Sequence, residues 1–118
     1  LTKCSLTSLD FSKTLSSVGQ DSYVFLDPPY RGSFTNYGTQ SDDDFQTRVV
    51  DHLQKCKSSG AYVLLSNRKM EDGFFEKLKG DNKLVDFPVT YTAGRRKKTD
   101  KGFEAKKAIE ILMIGDGR

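Results

Sequence analysis

Scarcity sets the first limits on this chain of 118 residues. It holds two cysteines, Cys4 and Cys56, too few and too far apart for a disulfide framework or a CxxC motif. Reduced thiols and a cytoplasmic setting are the expectation. The single histidine, His52, leaves no cluster with metal-ligand spacing, so no metal is expected. No apolar run approaches the roughly 20 residues that cross a bilayer, so no membrane-spanning helix is expected. Residues 1–20 hold no apolar block of the signal-peptide kind. Repeats and low-complexity stretches are also lacking.

What is present suits one globular domain: 36% hydrophobic and 30% charged residues, with a net charge of +3. The charge is concentrated. Residues 94–107 carry seven basic side chains against two acidic ones, more than the whole chain's surplus. The chain opens at Leu1 and enters patterned sequence directly, which reads as a piece of a longer protein.

Periodicity predicts the elements. Residues 9–17 read as a short helix with Ser8 or Asp10 as cap, and 22–27 as a buried strand stopped by Pro28-Pro29. Residues 31–41 read as a loop. Phe45, Val49, His52, Leu53 and Cys56 fall on one face of a helix over 42–58, with acidic residues at its start and Gly60 at its end. On that face His52 reads as a packed core residue. Residues 61–66 read as a second buried strand, parallel to the first because a helix joins them. A helix over 69–79 and a hairpin of strands 83–92 and 106–114 complete the chain, with Pro88 placing the first hairpin strand at an edge or bulge. The class is α/β.

The segment Val24-Phe25-Leu26-Asp27-Pro28-Pro29-Tyr30 carries the functional argument. Open α/β sheets bind ligands beyond the carboxyl ends of their strands, where Asp27 falls. Two prolines stiffen the bend and remove two backbone donors, so carbonyls are presented without competing N–H groups. A carboxylate, a carbonyl and the flat Tyr30 ring together suit an exocyclic amine on a planar base. Asp27 and the Pro28 carbonyl can accept its two hydrogens while the ring stacks on Tyr30. A tight turn with Tyr30 covering the core is the plainer alternative.

Asp-Pro-Pro-Tyr after a hydrophobic strand resembles the catalytic motif of amino-group DNA methyltransferases. Phe34-Thr35-Asn36-Tyr37 resembles the F-T-x-Y that follows it in Dam-type adenine-N6 enzymes, and Val63-Leu64-Leu65-Ser66-Asn67 and Arg95-Arg96-Lys97-Lys98 have counterparts there. The resemblance implies the later half of a Rossmann-like methyltransferase sheet: parallel strands flanked by helices, plus a C-terminal antiparallel hairpin. Residues 1–118 would be one partial catalytic domain without its N-terminal cofactor loop, because no Gly-x-Gly precedes Asp27. It further implies methylation, with S-adenosylmethionine, of the N6 amine of an adenine flipped out of double-stranded DNA.

In that frame Asp27, Pro28, Pro29 and Tyr30 are catalytic, and Asp10, Phe11 and Asp27 contact the cofactor. Phe34, Tyr37, Asn67, Arg68, Arg95, Arg96, Lys97 and Lys98 contact DNA. A bacterial or phage-encoded protein is implied. Asp10 serves equally well as a helix cap, Tyr37 as a packed loop residue, and the basic run as a solvated hairpin tip. An inactive DNA-binding remnant, an enzyme acting on cytosine N4 or RNA adenine, and a module unrelated to nucleic acid remain open.

Overall fold

The computed structural model describes residues 3–32, 43–91, 98–99, 102–103 and 106–118. Phe11–Ser17 forms a 3-10 helix. The elements after it are β1 (Tyr23–Leu26), α1 (Asp43–Ser58), β2 (Tyr62–Arg68), α2 (Phe74–Leu78), β3 (Lys83–Tyr91), β4 (Lys98–Thr99), β5 (Gly102–Phe103) and β6 (Lys106–Asp116).

The order in the main sheet is β1-β2-β6-β3, and β4 and β5 form a separate short pair. β1 and β2 run parallel in the register Tyr23↔Tyr62 to Leu26↔Leu65, as the connecting helix requires. β3 and β6 form the expected antiparallel pair. β6 also runs antiparallel to β2, between it and β3. The sheet is therefore mixed, with one parallel pair among the four strands. β3 lies at an edge, where Pro88 withholds no donor that an interior ladder would need.

α1 follows from its sequence. Asp43 and Asp44 lie in its first turn and Lys55 and Lys57 in the second half, each near the dipole end that favours its charge. The helix stops at Gly60, whose φ of +96° suits a residue without a Cβ. Val49, Val50, Leu53 and Cys56 are buried against Val63 and Leu65 of β2, Ile111 and Met113 of β6, and Phe75 of α2. Val24 and Leu26 pack at the margin of this core.

Strand alternation sends the other side chains to the opposite face. Tyr23, Phe25, Tyr62, Leu64, Leu112 and Ile114 share that face by register. Tyr23 is 73% exposed and Phe25 64% exposed, and the rest are only partly buried. Among the described residues the helices serve one face of the sheet.

Two helices differ from expectation. Residues 9–17 close as a 3-10 helix because Asp10 caps it by accepting from Ser12 N at 3.1 Å, and Val18 N ends it on Leu15 O. The helix foreseen over 69–79 shrinks to Phe74–Leu78. Lys69 N is held by Ile109 O at 2.8 Å as the strand runs out, and Gly73 adopts a left-handed conformation with φ +67°.

Candidate active site

β1 ends at Leu26, so Asp27 stands at the carboxyl end of a parallel strand and remains exposed. Its neighbour across the ladder is Ser66, one step beyond the Leu26↔Leu65 pair. Ser66 Oγ donates to Asp27 Oδ1 at 2.8 Å. The carboxylate faces solvent rather than hydrocarbon.

The following turn is held from below. Gln46 Nε2 of α1 donates to the Pro29 carbonyl at 2.8 Å. Asn67 Nδ2 donates to Gln46 Oε1 at 3.0 Å. Asn67 Oδ1 accepts from the backbone N–H of Arg31 at 3.1 Å and of Arg68 at 2.8 Å. Both amide side chains are fully buried. Buried amides are tolerated when their donors and acceptors are met, and here each bond joins a strand or helix to the turn.

Tyr30 donates its hydroxyl to Glu110 on β6, and the Arg68 guanidinium lies 4.5 Å from its ring centroid. Arg31, next along the chain, pairs with Asp43 at 2.6 Å and Asp72 at 2.7 Å and sits 4.1 Å over Phe74. It ties the turn to the start of α1 and the approach to α2. Its hydrogen bonds hold both carboxyls below the usual carboxylate range and push its own guanidinium higher.

Beside the turn opens a cleft of about 240 Å³ lined by Phe11, Phe25, Leu26, Asp27, Pro28, Phe45 and Val49. Phe11 and Phe45 meet edge-to-face at 5.9 Å. The cleft is an aromatic and aliphatic hollow with one carboxylate at its rim.

The structure brings Asp27, Pro28 and Phe11 to one cleft, with Pro29 and Tyr30 on the adjoining turn. It places Asp10 elsewhere in its chemistry. Asp10 Oδ2 accepts from Ser12 N, Ser12 Oγ and Arg48, so the residue acts as the cap that the sequence also allowed. Hydrogen bonds from Ser12, with Arg48 adding to them, keep its carboxyl below the usual range. Asn67 corrects an expectation: a side chain buried to this degree and bonded to Gln46, Arg31 and Arg68 has no surface to offer DNA. Arg68 is only partly buried, and its guanidinium lies over one face of the Tyr30 ring.

Phe34, Tyr37, Arg95, Arg96 and Lys97 lie outside the described residues, and Lys98 is described only as part of β4. His52 is buried as expected, with Phe11 edge-on at 5.2 Å and Cys56 Sγ 3.5 Å away. Among the described residues no group of three or more His, Cys, Asp or Glu is placed to hold a metal, and no helix is long and apolar enough to cross a membrane.

Gln46 was not foreseen. Gln46 leaves a trace in sequence: it is a polar residue on the helical stripe of Val49, Val50 and Leu53.

Comparison with known proteins follows the same lines. The chain is 34% identical over 112 residues to the type II methyltransferase M.MjaIII of Methanocaldococcus jannaschii, covering 89% of this chain and 36% of that protein. It is 27% identical over 114 residues to the retron Ec67 DNA adenine methylase of Escherichia coli, covering 92% and 36% respectively. The chain therefore spans 36% of the length of each of these two relatives.

Among solved structures it resembles the precorrin 8w decarboxylase of Methanobacterium thermoautotrophicum, with a TM-score of 0.50 and 12% identity over 94% of this chain and 54% of that one. At that identity the likeness concerns fold alone. The D12 class N6 adenine-specific DNA methyltransferase sequence model matches residues 3–98, and the chain belongs to that family.

Proposed function

We propose that this chain is the base-binding part of a catalytic domain that methylates the N6 amine of adenine in double-stranded DNA. The observation that carries the reading is the exposed Asp27 carboxylate, fixed by Ser66 at the rim of the aromatic cleft. Asp27 Oδ2 and the Pro28 carbonyl accept the two amine hydrogens of a flipped-out adenine. Accepting both keeps the nitrogen lone pair directed at the incoming carbon, and holding the base in place lowers the entropic part of the barrier. Tyr30, with the Arg68 guanidinium 4.5 Å from its ring centroid, contributes an aromatic wall beside the base.

S-adenosylmethionine supplies an activated methyl group when bound. The cleft fits part of it: Phe11, Phe25 and Phe45 are an apolar wall for a flat heterocycle and a soft sulfonium. The chain carries no Gly-x-Gly before Asp27 for the rest, which residues beyond this sequence would hold. The second sheet face supports the same reading. A parallel pair of strands is ordinarily covered on both sides, and the matched relatives have almost twice this length again. On this view the sheet is the later half of a Rossmann-like domain. The basic run 95–98, with Phe34 and Tyr37, supplies contacts to the duplex, the basic run to its phosphates.

Nuclear magnetic resonance of the labelled chain tests the reading with 2′-deoxyadenosine, 2′-deoxycytidine and thymidine as probes. Deoxyadenosine is expected to shift the resonances of residues 25–31 and 66–68, and thymidine, which lacks an exocyclic amine, is expected to leave them in place. Asp27→Ala is expected to weaken the response about tenfold or more, the scale of a hydrogen bond to a charged group. Shifts that persist unchanged in Asp27→Ala, or none at all, would overturn the assignment. A stronger response to deoxycytidine would move the substrate to cytosine N4.

A further inference from the structure

We infer that Ser66 and the buried pair Gln46–Asn67 are positioning residues that select which two oxygen atoms the turn presents to an amine. The inference rests on the base-binding reading above and concerns how that site is set.

A free carboxylate offers two equivalent oxygens, and a Pro-Pro turn offers two carbonyls with no backbone donors between them. Four acceptors of undefined orientation would hold an amine in many ways. The surrounding residues remove half of them. Ser66 Oγ occupies Asp27 Oδ1 at 2.8 Å, leaving Oδ2 without a donor among the described residues. Gln46 Nε2 occupies the Pro29 carbonyl at 2.8 Å, while no described residue donates to the Pro28 carbonyl. The pair that remains is Asp27 Oδ2 and Pro28 O, on adjacent residues beside the cleft.

The direction of the amide chain is not free to reverse. At one end, the backbone N–H groups of Arg31 and Arg68 can only donate, which assigns Asn67 Oδ1 as their acceptor. Asn67 Nδ2 must then donate to Gln46 Oε1, and Gln46 Nε2 must donate to the Pro29 carbonyl, which can only accept. Backbone groups fix both ends, so neither amide can flip without losing bonds at both of its neighbours. Full burial shields the relay from competing water.

Ser66 and Asn67 are consecutive on β2 and point to opposite faces. One strand therefore reaches the carboxylate from one side and the turn backbone from the other.

The test uses the deoxyadenosine titration on four variants, with urea unfolding alongside. Ser66→Ala is expected to weaken binding about tenfold, the scale for a bond to an ionised group, with its urea midpoint unchanged. Ser66→Thr keeps the hydroxyl and is expected to restore binding to within about twofold of the parent. Gln46→Glu places an acceptor against the Pro29 carbonyl. It is expected to shift the Pro29 carbonyl and Arg31 amide resonances and to weaken binding about as much as Ser66→Ala. Asp27→Ala is the control.

If Asp27→Ala loses binding while Ser66→Ala and Gln46→Glu keep it, the positioning role is wrong and the base-binding reading stands. A loss in Ser66→Ala that Thr fails to rescue, accompanied by a lower urea midpoint, assigns Ser66 to stability alone and also overturns the inference. If the parent chain does not bind deoxyadenosine, the proposed function falls, and this inference with it.

Discussion

The two faces of the four-stranded sheet have similar composition and opposite fates. Val63 and Leu65 on one side of β2 are fully buried beneath α1, while Leu64 between them is only partly buried. On β1, Val24 and Leu26 join the core margin, while Tyr23 and Phe25 stand in solvent. Residue type does not distinguish the faces, because both carry the aliphatic and aromatic side chains of a buried strand. The distinction is what packs against them. Hydrophobic burial stabilises only where a partner surface exists, so stability resides in the α1 face.

The proposed chemistry belongs to neither face alone. Asp27 and Ser66 lie on the register of the open face, and Asn67 and Gln46 belong to the closed one. The turn is thus supported from the rigid side and presented at the boundary with the open side.

The largest expected effect tests where stability resides. Leu53 is fully buried among β2, β6 and α1 residues, so Leu53→Ala is expected to cost about 2–5 kcal/mol. Leu64→Ala removes the same atoms from a partly exposed site and is expected to cost less than half of that. Urea unfolding of the two variants measures the difference. Equal losses would mean that the open face is covered in solution.

How much of this was legible in sequence depends on how local the cause was. The proline turn could be read because the restrictions on Pro28 and Pro29 are covalent and travel with the residues. α1 could be read because Phe45, Val49, Leu53 and Cys56 repeat at the helical period. The insertion of β6 between β2 and β3 could not, since strand order is set by long-range pairing that no local pattern records. The 3-10 geometry of 11–17 was equally hidden: a seven-residue segment is too short for periodicity to separate it from an α-helix.

The candidate site divides the same way. Asp27 was visible as the end of a strand. The buried role of Asn67 was available from alternation, since counting by twos from Val63 through Leu65 places it inside, but its polarity drew it to the surface in the sequence reading. Gln46 was passed over because a single polar residue on an apolar stripe has no partner until β2 and the turn are brought beside it.

A smaller effect sharpens the closed face through its one histidine. Burial, with Lys55 adding to it, pushes His52 below the ordinary imidazole value of 6.5, against an opposing pull from Asp10. Above that value the ring is neutral whether the chain is folded or not, and stability is complete. As pH falls through 6.5 the unfolded chain binds the proton first, so stability declines until the folded-state value is passed. The lowered carboxyls of Asp10, Asp43 and Asp72 add their own loss only below the ordinary carboxylate range. Urea midpoints between pH 7.5 and pH 5 are expected to fall for the parent and to be flatter for His52→Gln. Identical slopes would show that the histidine does not sense the closed face.

The smallest effect belongs to the open face. Phe25 is 64% exposed, so Phe25→Ser gives up little buried area and is expected to change stability by no more than about 0.5 kcal/mol. Its effect lies elsewhere. An apolar sheet face open to water binds hydrophobic dyes, and removing its most protruding aromatic side chains lowers that binding without unfolding anything. Fluorescence of anilinonaphthalene sulfonate with Phe25→Ser, and with Tyr23→Ser added, is expected to drop in steps while the urea midpoint holds. A midpoint that falls in parallel with the dye signal would mean that Phe25 is packed in solution, and the contrast between the two faces would disappear.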